Sequence, residues 1–336
     1  MKNHPNLDLL RTIAVLMVVI SHIGEPLEWS TPEARSFFGV LGVTIFFVHT
    51  SLVLMLSLDR NGVGAAPFLL RRFFRIYPLA VAMILLVAAT KWLVGTALDW
   101  GQVVSNMLLV QNMTGHDSDP FPLWSLPYEV QMYLVLPAIF LFVQVNGLLR
   151  IGALLVLSLG LIVTMAGAGI NVYLVRYVPC FLPGVLAYVL ASRLRPRFGP
   201  AALFGFVGFG SAVLAALALY AGFGTLHLYW VFSLLIGIII PLCRDLTWRP
   251  LVQLSAVVAK YSYSIYLTHI MAVNSAFIIG AGFPRPLQWV IFAGVLLAWI
   301  RVAHYWVEAP GIALGIRLSE SLRTRKIAGA KANGQA

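Results

Sequence analysis

The chain has 336 residues, of which 60% are hydrophobic and 10% charged, and its mean hydropathy is +0.89. Soluble domains carry about 25% charged residues, so this composition excludes an ordinary soluble protein and predicts an all-α, polytopic membrane protein. The formal net charge is +11, but the basic residues lie in short segments between apolar runs. Membrane topology accounts for that pattern, so the charge does not indicate a nucleic-acid partner.

The lengths of the apolar runs predict about ten transmembrane helices. They cover residues 7–24, 37–57, 77–95, 124–145, 151–169, 172–191, 200–222, 227–243, 261–280 and 287–308. We assign residues 1–315 to one membrane domain and residues 316–336 to a basic, disordered tail. Basic residues concentrate in the segments on the side of the N-terminus, whereas the other side keeps only Arg35, Lys91, Arg176 and Arg285. This asymmetry predicts that both termini are cytoplasmic.

The first predicted span contains ionisable residues within an apolar helix. Arg11 and His22 are eleven residues apart, which places them on one helical face, roughly 16 Å apart along the axis. If Arg11 lies at the edge of the bilayer core, His22 lies near the midplane. A histidine at that depth indicates either a functional site or a structural hydrogen bond to a neighbouring helix.

A basic segment, FLLRRFFRIYP, lies between the second and third predicted spans. Arg71 and Arg75 are four residues apart and share a helical face, which Arg72 borders. One interpretation is that these arginines anchor the protein at the inner surface and bind anionic lipid. The other is that they bind phosphate, because guanidinium groups match phosphate oxygens bidentately. A nucleotide-like cofactor from the cytoplasm carries such phosphates.

Two later spans contain polar residues. Glu129 is the only acid in the fourth span; it is either a paired or shallow structural residue, or an orienting partner for a catalytic histidine or an acid/base itself. His269 follows a hydroxyl-bearing face that includes Tyr266, which either bonds neighbouring helices or lines a polar tunnel. The long segment 96–123, just before Trp124, is a candidate cover for a site.

Five segments, in order along the chain, resemble motifs of the acyltransferase-3 family of integral membrane acyltransferases. They are the pair Arg11 and His22, RRFFRIYP at 71–78, LWSLPYEVQMYLVLP at 123–137, YSYSIYLTH at 261–269 and VEAP at 307–310. One span departs from the family pattern: the chain reads GVTIFFVHTSLVL, so His49, Thr50 and Ser51 stand where the family often has a Ser-Gly pair. The acceptor subclass therefore stays open.

The resemblance implies transfer of an acyl group, commonly acetyl from acetyl-CoA, to a hydroxyl of a carbohydrate or glycolipid acceptor at the bacterial inner membrane, with no metal. His22 would be the general base, with a covalent acyl-histidine as the alternative, and Glu129 would orient the imidazole or bind the acceptor. The implied ligands of acyl-CoA are Arg11, Arg71, Arg72 and Arg75. The implied lining of the acceptor site is Trp124, Tyr266 and His269.

Two other classes of protein also place polar residues inside a membrane. A transporter or a flippase of a polar lipid-linked substrate would use His22 and Glu129 as substrate or proton sites. A structural membrane scaffold would need Arg11, His22 and Glu129 for stability alone. Neither class accounts for the ordered set of motifs, and neither is expected to consume acyl-CoA.

Overall fold

The computed structural model describes residues 4–61, 64–220 and 225–333. Nearly all of the backbone in these ranges is helical, and the described residues contain no strand beyond an isolated β-bridge between Phe198 and Cys243. The predicted all-α fold of a polytopic membrane protein is therefore confirmed.

The helices are α1 (Pro5–Leu27), α2 (Pro32–Asn61), α3 (Ala65–Leu93), α4 (Trp100–Leu108), α5 (Gln111–Thr114), α6 (Leu126–Val143), α7 (Gly147–Gly167), α8 (Val178–Ala191), α9 (Pro200–Tyr220), α10 (Thr225–Ile239), α11 (Arg249–Val273), α12 (Arg285–Val302) and α13 (Ala309–Asn333). Short 3-10 turns at Phe121–Ser125 and Ile240–Leu242 adjoin α6 and α10, and π-helical turns at Asn274–Ile279 and Ala303–Glu308 follow α11 and α12.

Eight helices among the described residues are long and apolar enough to cross a membrane. Two shorter apolar helices, Val178–Ala191 and Leu226–Leu242, stand where the sequence predicts the sixth and eighth spans. A helix needs about 20 residues to cross the hydrocarbon core of a bilayer. These two helices are shorter, so packing against the other helices keeps them in place. Each of the ten apolar segments predicted from the sequence overlaps one of these longer or shorter helices.

The basic segment before the third predicted span is part of a helix rather than a loop. Helix α3 begins at Ala65, twelve residues before the predicted start at 77. Phe68 and Ile76 on this first part of the helix are buried in the core. Their burial explains why the helix continues through the arginines, for which the sequence predicts a segment between two spans.

The predicted disordered tail, residues 316–336, is helical up to Asn333, and residues 334–336 lie outside the described residues. Helix α13 lies against α3. Arg71 Nε donates a 2.6 Å hydrogen bond to Ser319 Oγ, and Ser319 is buried. This contact gives the first part of the predicted tail a packed surface, which its composition did not reveal.

Helices α1 and α11 run in the same direction through the bundle. Near the start of α1, Asn6 Nδ2 donates to the Arg244 carbonyl at 2.9 Å and Thr12 Oγ1 donates to the Ser255 carbonyl at 3.1 Å. Near its end, the rings of His22 and His269 lie 5.1 Å apart. We call the side of the bundle at which α1 and α11 begin the N-face, and the other side the opposite face.

The backbone of helix α8 lies very close to the backbones of α2 and α10. A Cβ atom at Gly184 would lie 2.2 Å from the Val48 carbonyl oxygen of α2. A Cβ atom at Gly237 of α10 would lie 2.4 Å from the Pro183 carbonyl oxygen. Only glycine allows these approaches, so α8 is clamped between α2 and α10.

The segment between α3 and α6 folds back over the opposite face. It contains α4 and α5, and Asn106 Nδ2 donates to the Asp117 carbonyl at 2.9 Å to join their ends. Lys91 at the end of α3 forms an ion pair with Asp119. These contacts hold the segment as a structured cover, as predicted from its length.

Candidate active site

A cavity of about 80 Å³ lies among α1, α2, α3, α6 and α11. Arg11, Arg72, Arg75 and Glu129 line it together with His49. Three guanidinium groups therefore line the same cavity as one carboxylate, among both hydroxyl-bearing and apolar side chains. We call this space the guanidinium cavity; its charge makes it a site for an anionic or strongly polar group.

Two of these arginines have unused donors. Arg11 Nε and Arg72 Nε are both buried, and neither has a hydrogen-bond partner in the described part of the chain. A buried charged donor without a partner is unfavourable. An oxygen-bearing ligand in the guanidinium cavity would satisfy both atoms, so the residues present fit a phosphate or a carbonyl group.

Arg75 is fixed by a buried polar cluster beyond the cavity. Its Nη1 lies 3.0 Å from Glu308 Oε1, and the Glu308 side chain is fully buried. Glu308 Oε2 accepts a 2.6 Å hydrogen bond from Ser264 Oγ and lies 3.1 Å from His304 Nδ1. His304 and Glu308 lie on the π-helical turn after α12. This cluster positions Arg75 and partly neutralises it.

Arg71 points away from the guanidinium cavity. It is not among the residues lining the cavity, and its Nε is bonded to Ser319 on α13. The sequence prediction placed Arg71 and Arg75 on the shared face with Arg72 at its border. The structure instead places Arg72 and Arg75, three residues apart, on the cavity face.

Glu129 lies with the arginines rather than with His22. Its Oε1 accepts a 3.1 Å hydrogen bond from Thr50 Oγ1, and both residues line the guanidinium cavity. His22 lines a different cavity. The expected pairing of Glu129 with the His22 imidazole is therefore not formed, because α6 brings the carboxylate to the N-face side of Tyr266.

The second cavity has a volume of about 720 Å³ and opens towards the opposite face. His22, Trp124, Tyr128, Arg176 and Tyr177 are among its lining residues, and we call it the histidine cavity. Its size falls within the range of about 300–1,000 Å³ that is usual for small-molecule sites. Aromatic faces with a few polar groups are also typical of such sites.

His22 has a second histidine beside it. Its ring centroid lies 5.1 Å from that of His269 and 5.6 Å from that of Phe121. His269 is fully buried, and its Nδ1 lies 2.7 Å from the Tyr266 carbonyl oxygen. A carbonyl oxygen only accepts, so Nδ1 carries the proton and Nε2 is the free acceptor of the neutral ring. No residue in the described ranges bonds that Nε2.

Tyr266 separates the two cavities. It lines both of them, as Val43 does. Its hydroxyl shares a 2.8 Å hydrogen bond with Ser125 Oγ, and its ring lies edge-on to Phe46. A group that passes from one cavity to the other has to pass this side chain.

The structure thus gathers most of the predicted site residues, but in two groups. Arg11, Arg72, Arg75 and Glu129 share one cavity; His22 and Trp124 share the other; Tyr266 borders both; and His269 lies behind His22. Sequence reasoning missed Tyr133, which lines the guanidinium cavity, and Arg176, which lines the histidine cavity. The available signal for Arg176 was its position on the side of the membrane that is poor in basic residues.

Comparison with known proteins gives one family match and several relatives. Residues 4–304 match an acyltransferase domain of the acyltransferase-3 type. The chain is 31% identical over 157 residues to the peptidoglycan O-acetyltransferase OatA of Listeria monocytogenes, and 26% identical over 288 residues to the exopolysaccharide production protein ExoZ of Rhizobium meliloti. It is 27% identical over 366 aligned positions to a putative O-acetyltransferase of Staphylococcus aureus.

These matches cover different shares of each protein. The OatA match takes in 41% of this chain and 24% of OatA, and the ExoZ match takes in 81% of this chain and 89% of ExoZ. The staphylococcal match takes in 94% of this chain and 58% of that protein. No solved structure matches. Because the family's domain spans nearly the whole sequence, the chain belongs to the acyltransferase-3 family of integral membrane acyltransferases.

Proposed function

We propose that this protein transfers an acyl group, acetyl in the simplest case, from cytoplasmic acyl-CoA to a hydroxyl of a carbohydrate or glycolipid acceptor at a bacterial inner membrane. The main support for the proposal is that two chemically different cavities adjoin at Tyr266. One is rich in guanidinium groups and the other contains His22. The names of OatA and ExoZ support O-acetyl transfer and a carbohydrate acceptor.

The guanidinium cavity suits the donor. Arg11 and Arg72 offer buried, unpartnered donors that match phosphate or carbonyl oxygens. A volume of about 80 Å³ admits one such group rather than a whole nucleotide, so the rest of acyl-CoA would extend beyond the cavity at the N-face. CoA is cytoplasmic, and the excess of basic residues predicts that the N-face is cytoplasmic as well.

The histidine cavity suits the acceptor. His22 would take the proton of the acceptor hydroxyl as that oxygen attacks the thioester carbonyl. The C–O bond of the new ester forms, the C–S bond breaks, and the imidazolium returns its proton to the departing thiolate. An acyl-histidine intermediate is the less direct variant. In either route the acyl end of the donor has to reach His22 past Tyr266.

His269 takes the orienting role that the sequence suggested for Glu129. Because Nδ1 of His269 donates to the Tyr266 carbonyl, its Nε2 is free to accept a hydrogen bond from a ring N–H of the neighbouring His22. That bond would leave the other nitrogen of His22 as a free base facing the acceptor. Glu129 would then balance the charge of the three arginines in the guanidinium cavity.

The proposal is tested by CoA release from acetyl-CoA, measured with purified protein and a panel of oligosaccharide acceptors. Replacing a true general base lowers the rate by about 10²–10⁴, so His22→Ala should reduce turnover by that factor. His4→Ala is the matched control, because His4 lies at the N-face beside Arg60 and lines neither cavity.

Two results would contradict the proposal. Folded His22→Ala protein with unchanged turnover would remove His22 from the chemistry. Folded wild-type protein that neither binds nor consumes acyl-CoA would favour the rival class, a transporter or flippase that uses His22 and Glu129 as substrate or proton sites.

A further inference from the structure

Four basic residues fall on the opposite face, where the charge asymmetry predicts few. Three of them are occupied by local structure: Arg35 donates to the Ser30 carbonyl, Lys91 pairs with Asp119, and Arg285 Nη1 donates to Gln288 Oε1 at 2.8 Å. The fourth, Arg176, lines the histidine cavity. Local contacts therefore do not explain why a basic residue lies at this position.

Arg176 is held in a fixed orientation. Its guanidinium carbon lies 4.9 Å from the ring centroid of Tyr177 and 5.4 Å from that of Tyr173. Its Nη2 donates a 3.1 Å hydrogen bond to the Tyr177 hydroxyl, and its carbonyl accepts a 2.8 Å hydrogen bond from Trp230 Nε1. Stacking between aromatic rings restrains the guanidinium plane before any ligand arrives.

Arg176 has no counter-ion in the part of the chain that the structure describes. No Asp or Glu oxygen lies within 4.0 Å of its guanidinium nitrogens. Its Nε is buried and has no hydrogen-bond partner among the described residues. It is also the only arginine or lysine in the lining of the histidine cavity as described. A restrained, unpaired guanidinium of this kind is a preorganised site for an oxyanion.

We propose that Arg176 binds an anionic group, carboxylate or phosphate, on the acceptor carbohydrate. The inference rests on the proposed function and adds the substrate class: an acidic or phosphorylated sugar rather than a neutral one. Trp124 and Tyr128 supply aromatic faces for the sugar ring in the same cavity, and Arg176 sets its orientation through the anion. A hydroxyl of the bound sugar is then presented to His22.

The test compares three sugars that differ only at one carbon: methyl glucoside, methyl glucuronide and methyl glucoside 6-phosphate. Their dissociation constants are measured with purified protein by tryptophan fluorescence, without any acyl donor. Wild type should bind at least one charged sugar about tenfold more tightly than the neutral one, as expected for a charged hydrogen bond. The stronger of the two charged ligands identifies the anion as carboxylate or phosphate.

Arg176→Gln should abolish that preference. Arg285→Gln is the matched control and should retain it, since Arg285 lies on the same face but lines neither cavity. Arg176→Lys keeps the charge without the planar fork and should retain part of the preference. CoA binding and thermal unfolding of each variant establish that the fold is intact.

Equal binding of neutral and charged sugars by wild type would overturn the inference, as would a preference that survives in Arg176→Gln. Binding of neither charged sugar would overturn it too. These measurements need no acyl transfer, so they separate the two proposals. Charge-dependent binding without acyl-CoA turnover would contradict the proposed function alone, and acyl transfer by a wild type that binds neutral and charged sugars equally would contradict this inference alone.

Discussion

His269 shows how a main-chain contact can set the chemistry of a side chain. The Tyr266 carbonyl binds Nδ1 and leaves Nε2 as an acceptor next to His22. Because the same tyrosine borders both cavities, its position is tied to the orientation of the histidine pair. In the proposed mechanism, His22 would therefore be oriented by a residue of α11 rather than by an acidic residue.

This arrangement gives a prediction for His269. His269→Phe keeps an aromatic ring against His22 but removes the acceptor, so kcat should fall by about tenfold to a hundredfold, as for other orienting partners. The dissociation constant for CoA should stay unchanged, and His269→Gln should recover part of the rate because its amide oxygen can accept a hydrogen bond. A purely structural role would instead lower the thermal unfolding temperature of both variants and give no difference in rate between them.

Residue types that are unusual in a membrane could be recognised from the sequence, but their partners could not. Arg11, His22 and Glu129 stood out because charged or titratable groups are rare in apolar spans. The structure places Glu129 beside Thr50 rather than beside His22, because the neighbours of a helix and its rotation are set by packing. For the same reason, spacing within α3 did not reveal that Arg71 faces Ser319 while Arg72 faces the cavity.

At the level of the element, α8 is the least expected helix. It has 14 residues, fewer than the roughly 20 that a span takes, and it is held by backbone contacts with α2 and α10. The apolar run 172–191 was found from the sequence. Nothing in the run indicates that residues 173–177 form a turn whose Tyr173, Arg176 and Tyr177 line the histidine cavity, because aromatic residues in an apolar run do not distinguish a helix from a turn.

The close contact of α8 predicts a sharp difference between two glycines. Gly184→Ala would place its Cβ 2.2 Å from the Val48 carbonyl oxygen, so α8 has to move away from α2. Overpacking of this kind costs about 1–3 kcal/mol, and the thermal unfolding temperature should fall. Gly160→Ala on α7 is the control: nothing lies within 4 Å of its new Cβ, and alanine is the better helix former. Equal unfolding temperatures for the two variants would contradict the packing described here.

The helix bundle as a whole encloses the guanidinium cavity and the histidine cavity, one after the other between its two faces. The guanidinium cavity lies towards the N-face, and the larger histidine cavity lies beneath α5 and the segment that follows it. Hydropathy and charge asymmetry predicted a membrane protein with a functional site inside. They could not predict that the site is divided, because the border is formed by side chains distant in sequence, Val43 of α2 and Tyr266 of α11, which is bonded to Ser125.

We propose that the guanidinium cavity binds CoA and that the histidine cavity carries out the transfer. Measuring CoA binding and turnover on the same samples separates these two roles. Purified wild type, Arg72→Ala, Arg71→Ala and His22→Ala are compared, with thermal unfolding as the check on folding. Arg72→Ala should weaken CoA binding by about tenfold to a hundredfold, as for the loss of a charged hydrogen bond. Arg71→Ala should bind CoA like wild type, and His22→Ala should bind CoA normally while losing transfer. Equal losses of CoA binding in Arg71→Ala and Arg72→Ala, or loss of CoA binding in folded His22→Ala, would contradict these separate roles of the two cavities.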